Sequence, residues 1–281
     1  MYTLFYYWDD IDGNEMPYHI KLCMETWNQN SMAERIIRVN KENIEVISYG
    51  AITSSQMKLF TPAQRSDAAM AATMSIHQGL FLDADTILLP TFNPARYLKQ
   101  EVPTMYAAIG AASPLPMLSF LACPRKGSSF MKAWLDGTQR QIHHEETSSR
   151  RILRRAYRER IQRKHVHVRW DYLGAAIIND LAAREASQAS LMLLDTVETG
   201  YLPRSGSANY GPQIVNDYWL AAGSDSLFSS TDYTHGIVTL QNSWLPQNIR
   251  TATEAELLEH PSRLGRLFRY ALDKIASVKL V

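Results

Sequence analysis

The first 125 residues alternate between short apolar runs and longer stretches whose apolar residues recur at helical spacing. Short runs rich in aromatic and β-branched residues favour strands, whereas apolar positions three or four residues apart favour amphipathic helices. This alternation is typical of α/β proteins in which helices flank a mostly parallel sheet. The predicted strands are 2–8, 36–39, 80–89 and 117–124, and the predicted helices are 17–28, 61–76, 129–141, 170–185 and 261–278.

The second half of the chain is less regular than the first. Gly, Ser, Asn, Pro and Asp dominate from residue 199 to residue 232, which predicts loops. We therefore expect one α/β domain with two parts. Residues 1–135 form the sheet-based core, and residues 136–281 form a helical, loop-rich C-terminal part.

The stretch LFLDADTILL, residues 80–89, places two aspartates inside an apolar run. Apolar and β-branched residues resume after Asp85, so the pattern predicts one continuous strand with Asp83 and Asp85 on the same face. Two carboxylates so close repel each other unless water or a cation separates them. One interpretation is ordinary strand-end or helix-capping aspartates; the other is a strand-end site for Mg²⁺ or Mn²⁺ that also holds substrate phosphates.

The composition describes an ordinary globular protein, with 46% hydrophobic residues, 20% charged residues and a net charge of +1. The two cysteines, Cys23 and Cys123, have no metal-ligand spacing and argue against a disulfide scaffold. No apolar stretch reaches the roughly 18 residues needed to cross a bilayer, and the N-terminus lacks the basic flank of a signal peptide. We expect a cytoplasmic location.

With these elements placed, residues 1–135 resemble the DXD-containing glycosyltransferases of bacterial capsular polysaccharide synthesis and, more distantly, the sugar-transferase domains of the large clostridial glucosylating toxins. Several features occur in the family's order. They are a strand ending in Trp8, a turn from Gly13 to Pro17, a helix containing Cys23, a short strand before Asn43, a helix opened by Ser66-Asp67, the turn Gln78-Gly79, the strand Leu80–Asp85, and the strand-helix segment 118–134. Beyond residue 135 the resemblance is thin.

The resemblance implies a GT-A fold with a Rossmann-like nucleotide-binding sheet. It also implies metal-dependent transfer of a sugar from a nucleoside diphosphate, UDP in the first instance, to a hydroxyl of a glycan or polyprenyl-linked acceptor. Mn²⁺ or Mg²⁺ is the implied cofactor. Retention of configuration is implied by the resemblance alone.

The same resemblance assigns roles to residues in the first half of the chain. Asp85 is the first choice for a direct metal ligand, and Asp83 reaches the ribose or the water shell of the metal. Trp8, with Tyr6 beside it, is placed to stack on the base, although a core or interface tryptophan is the alternative. Asp67 is placed to accept hydrogen bonds from the sugar hydroxyls, although an acid favoured by a helix N-terminus is nearly as good an explanation.

A late segment is implied to complete the metal site. Within DYTHGIVTLQNSW, residues 232–244, His235 is the candidate ligand, and Asn242, Ser243 and Trp244 are the candidates for a flap over the diphosphate. For an isolated histidine in a turn, a surface position is the alternative.

Two residues depart from the family pattern. Met70 stands where an arginine usually contacts the donor sugar, and Gln78 stands in place of the first glycine of the turn. They leave a non-catalytic nucleotide- or carbohydrate-binding protein with this fold as the alternative function. A glycogenin-like or lipopolysaccharide-galactosyltransferase-like enzyme is a further alternative, although that group lacks the opening from Trp8 to Pro17.

The run Arg150–Arg169 is densely basic, with Glu159 as its sole acid. A solvated helix face is the default interpretation, and contact with anionic lipid head groups or a polyprenyl-diphosphate acceptor is the second. The amphipathic segment 261–279 fits peripheral membrane contact too, or else packing in the core. Nucleic acid is not expected as a partner, because no recognition motif accompanies the charge and the net charge is near zero.

Overall fold

The computed structural model describes residues 1–10, 15–107, 116–149, 152–153, 172–184, 190–194, 212–222, 235–240 and 242–272. Within these residues there are eight strands, eleven α-helices and one 3₁₀ turn, Asn242–Trp244. The strands are β1 Thr3–Tyr7, β2 Arg35–Val39, β3 Gly79–Leu82, β4 Thr86–Leu88, β5 Thr104–Ala107, β6 Pro116–Cys123, β7 Met192–Leu194 and β8 Ile237–Thr239. The helices are α1 Tyr18–Asn30, α2 Ile44–Ile47, α3 Ser54–Met57, α4 Pro62–Ile76, α5 Ala95–Leu98, α6 Ser129–Thr147, α7 Ala175–Ala182, α8 Pro212–Leu220, α9 Gln247–Arg250, α10 Glu254–Glu259 and α11 Arg263–Ala271.

The central sheet has six described strands in the order β2-β1-β3-β6-β5-β7. β1 pairs in parallel with β2 and β3, β5 pairs in parallel with β7, and β6 runs antiparallel to both of its neighbours. The α/β class with a mostly parallel sheet is therefore confirmed. β4 and β8 form a separate two-stranded antiparallel sheet.

Successive side chains of the central strands point to opposite faces of the sheet and pack into two different parts of the core. Phe5, Tyr7 and Phe81 pack on one side of the sheet with the alanine-rich helix α4 and with α6. Leu4, Leu80 and Leu82 pack on the other side in a cluster that includes Trp27 of α1. A third apolar cluster surrounds β4, β8 and the C-terminal helices α9 to α11.

Helix α4 begins at the residue that its sequence predicts. Pro62 occupies the first helical position, where its missing N–H removes no hydrogen bond. Thr61 and Gln64 form a capping box, in which each side chain accepts a hydrogen bond from the main-chain N–H of the other. The helix ends at Ile76, also as predicted.

The prediction of one continuous strand over 80–89 is wrong. β3 ends at Leu82, and the chain turns through Asp83, Ala84 and Asp85, with the Thr86 N–H donating to the Asp83 carbonyl at 3.1 Å. β4 then leaves the central sheet and pairs with β8, which lies about 150 residues later in the sequence. The two aspartates therefore occupy the junction between two sheets, not one face of one strand.

The C-terminal helix α11 packs in the core. Its apolar stripe of Leu264, Leu267 and Phe268 is buried in the cluster around β4 and β8, so in the described residues 261–272 this stripe is not free to enter a bilayer. No helix in the described part of the chain is both long and apolar enough to span a membrane.

Several sequence predictions fall outside the described residues. They are the turn at Gly13, the basic run 150–169 apart from residues 152 and 153, and the end of the last predicted helix. Helix α6 extends beyond its predicted end, and residue 135, where we divided the chain, lies inside it. The division itself stays a prediction.

Gly79 allows β3 to start against β1. Its φ is +136°, and a Cβ atom there would lie 2.1 Å from the carbonyl oxygen of Thr3. We expect Gly79→Ala to lower the free energy of unfolding by about 3 kcal/mol, because it adds a backbone clash to conformational strain. Gly50→Ala, at φ +79° with no atom within 4 Å, should cost about 1 kcal/mol from strain alone. Urea unfolding of both variants measures the difference, and equal losses would contradict this account.

Candidate active site

A pocket of about 340 Å³ lies at the carboxyl ends of β1 and β3. These parallel neighbours end at the same edge of the sheet, where ligands bind in open α/β folds. The first turns of α1 and α4 and the 3₁₀ turn complete its walls. The lining residues are Tyr7, Trp8, Asp9, Ile20, Pro62, Ala63, Ser66, Asp83, Ala84, Asp85 and Asn242.

Two carboxylates, those of Asp83 and Asp85, form the floor of this pocket. The Asp83 main-chain N–H donates to the Ser119 carbonyl of β6 at 3.0 Å, and its carboxylate accepts a hydrogen bond from the Ser66 hydroxyl. Asp85 is buried, and its Oδ2 accepts a hydrogen bond from the main-chain N–H of Asn242 at 2.6 Å. Ser66 of α4 thus bonds to Asp83, and Asn242 of the 3₁₀ turn is among the main-chain donors to Asp85.

Burial raises the pKa of Asp83 well above its ordinary range, and the neighbouring charge of Asp85 raises it further, against the lowering effect of Ser66. Burial also raises the pKa of Asp85, although main-chain N–H donors, that of Asn242 among them, act in the opposite direction. A raised carboxyl pKa means that the charged form is disfavoured. A cation in the pocket would favour the charged forms, because it stabilises both negative charges together.

The donor set fits a hard divalent cation. Carboxylate oxygens are the ligands that Mg²⁺ and Mn²⁺ prefer, and such ions are often held by one or two carboxylates together with substrate phosphates. Among the described residues, no group of three His, Cys, Asp or Glu side chains could hold a metal. Asp83 and Asp85 would therefore have to share the cation with a ligand.

His235, the sequence candidate for a further metal ligand, is not brought to the acids. Asp85 lies beside the end of β8, where its carbonyl accepts the Leu240 N–H, whereas His235 precedes the start of that strand. Five residues of extended chain span about 16 Å. The Nδ1 of His235 is 2.7 Å from the hydroxyl of Tyr97, and the imidazole is buried there. We leave His235 out of the site for this reason.

Trp8 lines the pocket, as the stacking prediction requires, and is half-buried. Tyr6 does not line it, because its ring packs edge-on against Trp27 at 5.3 Å on the other side of the sheet. The tyrosine in the pocket is Tyr7. Alternation along β1 explains why Tyr7 lines the pocket and Tyr6 does not, because neighbouring residues of a strand point to opposite faces.

Asp67 lies beside the pocket without lining it. It is the sixth residue of α4, beyond the first turn where a helix favours an acid. A Cβ atom at Gly174 would lie 2.4 Å from its Oδ2, so the carboxylate rests against the backbone just before α7. Its role towards sugar hydroxyls stays a prediction.

The 3₁₀ turn contributes one residue to the pocket. Asn242 lines it, whereas Trp244 packs against the apolar cluster around β4 and β8. The side chain of Ser243 lies outside the described part of the structure. A flap formed by all three residues stays a prediction.

Asp9 is a pocket residue that the sequence reasoning missed as a functional candidate. Its carboxylate accepts hydrogen bonds from the Tyr7 hydroxyl at 2.7 Å, the Lys41 N–H at 3.0 Å and the Arg65 guanidinium at 2.7 Å. Burial alone would raise the pKa of Asp9, but these three donors lower it overall. Its position directly after an aromatic strand was the available signal; the partner Arg65 could not be inferred from spacing.

The two departures from the family pattern lie outside the pocket. Met70, on the buried face of α4, is fully buried in the core. Gln78 is exposed at the amino end of β3, the opposite end of the strand from Asp83. Gln78 therefore lies away from the pocket. At position 70, a buried methionine stands where the family's arginine would contact the sugar.

No protein-family model matches the chain, and no curated protein matches it. Among solved structures, the chain is similar to one titled "PaToxG Glycosyltransferase", with 13% identity, a TM-score of 0.34, and coverage of 63% of this chain and 67% of that one. A likeness at this TM-score carries no weight for the activity, so the site has to be judged by its own residues.

The raised pKa of Asp83 predicts how stability depends on pH. The folded protein keeps this proton at pH values where the unfolded chain has lost it, so stability falls as pH rises from about 4 through the folded pKa. In EDTA near neutral pH, we expect Asp83→Asn to be more stable than the wild type, because the amide avoids the unfavourable ionisation of this carboxyl group.

Urea unfolding at several pH values measures this gain, which should vanish towards about pH 4. The exposed Asp136→Asn is the matched control and should change stability by less than about 0.5 kcal/mol throughout. A loss of stability in Asp83→Asn near neutral pH would contradict the proposed cause.

Proposed function

We propose that the protein is a metal-dependent glycosyltransferase that takes its sugar from a nucleoside diphosphate. The observation that carries the proposal is the placement of Asp83, Asp85 and Trp8 in one pocket at the strand ends. The acids supply oxygen ligands for a divalent cation, and the indole supplies a flat surface for a base. A nucleoside diphosphate requires both features. The acids follow β3, whereas Trp8 follows β1.

In the proposed reaction, an acceptor hydroxyl oxygen bonds to the anomeric carbon as the bond from that carbon to the diphosphate oxygen breaks. The hydroxyl proton is released, and the nucleoside diphosphate leaves with the bonding electrons. A bound Mn²⁺ or Mg²⁺ supplies positive charge that stabilises the departing diphosphate. Asp83 and Asp85 would hold that ion from the floor of the pocket.

The remaining pocket residues support binding of the nucleoside. Trp8 is half-buried between the apolar side of the pocket and solvent, which suits stacking on any base. Its strand end is fixed because the Trp8 N–H donates to the Val39 carbonyl at 2.9 Å and the Arg38 side chain donates to the Trp8 carbonyl at 3.0 Å. The partly buried ion pair of Asp9 with Arg65 fixes the next residue. A rigid edge lowers the entropy lost on binding.

The finer assignments of the proposal rest on the resemblance of the first 135 residues. They are UDP as the nucleotide, retention of configuration, GT-A as the name of the fold, and a glycan or polyprenyl-linked glycan of surface polysaccharide synthesis as the acceptor. A nucleotide- or carbohydrate-binding protein without activity is the alternative. No specific contact in the pocket favours it.

Release of UDP from a panel of UDP-hexoses is the test of activity. We expect release to require Mn²⁺ or Mg²⁺ and to fall at least about 100-fold in Asp85→Ala, because the cation loses its proposed direct ligand. Asp136→Ala, an exposed change on α6, should retain the wild-type rate. Binding of UDP without release of any sugar would support the binding protein, and metal-independent release would overturn the proposed role of the acids.

Removal of the Trp8 ring should weaken nucleotide binding more than catalysis. We expect Trp8→Ala to raise KM for the UDP-sugar about tenfold or more with little change in kcat, because stacking contributes about 1–3 kcal/mol per base. Trp8→Phe should recover most of the loss, since it keeps an aromatic face. Equal KM values for wild type and Trp8→Ala would show that the base binds elsewhere.

A further inference from the structure

A buried histidine that does not line the pocket is hydrogen-bonded to a residue that does. His19, in the first turn of α1, is fully buried, and its Nε2 is 2.7 Å from the side-chain oxygen of Asn242. The two residues are 223 positions apart in the sequence. This hydrogen bond therefore ties the first helix to the 3₁₀ turn that closes the pocket.

Asn242 makes a second contact, through its main chain. Its main-chain N–H donates to Oδ2 of Asp85, the proposed metal ligand, at 2.6 Å. The three residues thus form one hydrogen-bonded series from His19 through Asn242 to Asp85. Because the side-chain oxygen of Asn242 is engaged by His19, this oxygen is not directed at the pocket as a ligand.

The imidazole of His19 is not explained by packing alone. Burial lowers its pKa, and the Arg250 charge lowers it too, while the hydrogen bond with Asn242 acts in the opposite direction. A neutral imidazole carries one proton, which lies on Nε2 because Asn242 presents an oxygen. Nδ1 then has no hydrogen-bond partner among the described residues. Buried polar atoms without partners are rare and need a reason.

We propose that His19 is a positioning residue for the metal site: through Asn242 it fixes the orientation of the Asp85 carboxylate. The proposal rests on the proposed function. Asn242 covers Oδ2 of Asp85 only if its main chain stays in place, and the side-chain bond to His19 holds it there. A carboxylate held in one orientation would present its remaining lone pairs to the cation in a fixed geometry. Partners of this kind fix metal-binding carboxylates in many proteins.

The test compares His19→Phe with His19→Gln. Phenylalanine fills similar space without a donor, whereas glutamine keeps an N–H that can reach Asn242. Calorimetry measures the affinity for UDP with Mn²⁺ and with EDTA. We expect His19→Phe to weaken the Mn²⁺-dependent gain in UDP affinity about tenfold or more, His19→Gln to recover most of it, and neither to change UDP affinity in EDTA.

A matched control separates this role from the general cost of losing a buried histidine. His235 is also buried and hydrogen-bonded to Tyr97, but it lies at the far end of the β4–β8 pair. We expect His235→Phe to lower the unfolding temperature as much as His19→Phe and to leave Mn²⁺-dependent binding unchanged. Equal losses of binding in both variants would overturn the proposal.

A double-mutant cycle tests whether His19 acts through Asn242. Asn242→Ala keeps the main-chain N–H and removes the side-chain oxygen, and should weaken Mn²⁺-dependent binding as His19→Phe does. In the Asn242→Ala background, His19→Phe should cause no further loss. Should His19→Phe fail to fold, Asn242→Ala alone decides, because wild-type affinity in that variant would overturn the proposal.

The outcomes for the two proposals differ. A wild-type protein that binds UDP with no gain from Mn²⁺ would refute the metal-dependent function, and with it the role of His19. A wild-type protein with a large gain from Mn²⁺ that His19→Phe and Asn242→Ala both retain would refute the role of His19 alone.

Discussion

The arrangement of this protein depends on two neighbouring carboxyl groups, that of half-buried Asp83 and that of buried Asp85, where the chain passes from one sheet to another. An unpaired charge in a protein interior costs several kcal/mol, and two like charges cost more. Two hydrogen bonds offset part of this cost. The Ser66 hydroxyl donates to Asp83, and the Asn242 N–H donates to Asp85. The pKa of both acids is raised all the same, because burial disfavours their charged forms. A ligand with positive charge would offset the remaining cost.

The small second sheet makes this arrangement possible. β4 leaves the central sheet directly after Asp85 and is held by α1, whose Trp27 indole donates to the Thr86 carbonyl at 2.6 Å and whose Thr26 hydroxyl accepts the Leu88 N–H at 3.0 Å. β8 pairs with the other edge of β4 and delivers Asn242 to Asp85. One short strand thus connects the acids to both the first helix and the late segment of the chain.

Local patterns in the sequence predicted the elements well where one signal dominated. Thr61-Pro62 fixed the start of α4, and the aromatic run fixed β1. The split of 80–89 into two strands was not predictable in this way, because β3 and β4 are both apolar and the turn between them contains no glycine or proline. What separates them is a pairing partner about 150 residues away.

The candidate site residues were likewise predictable only where a local signal existed. Asp83, Asp85 and Trp8 each follow an apolar or aromatic run at a strand end, which made them candidates, and the three line one pocket. His235 lies in the same late segment as Asn242 but at the other end of β8, and spacing along the chain does not say which end of a strand faces a pocket. His19 and Arg65 carry no local signal at all, because their roles depend on partners from distant parts of the fold.

The pairing of β4 with β8 also bears on how the protein is made. During translation, the first 88 residues emerge long before residues 237–242, so the nascent chain carries both acids without the Asn242 donor and one edge of β4 without its neighbour. Exposed strand edges of this kind invite wrong pairings. Until β8 has been synthesised, this edge of β4 is therefore open to other pairing partners.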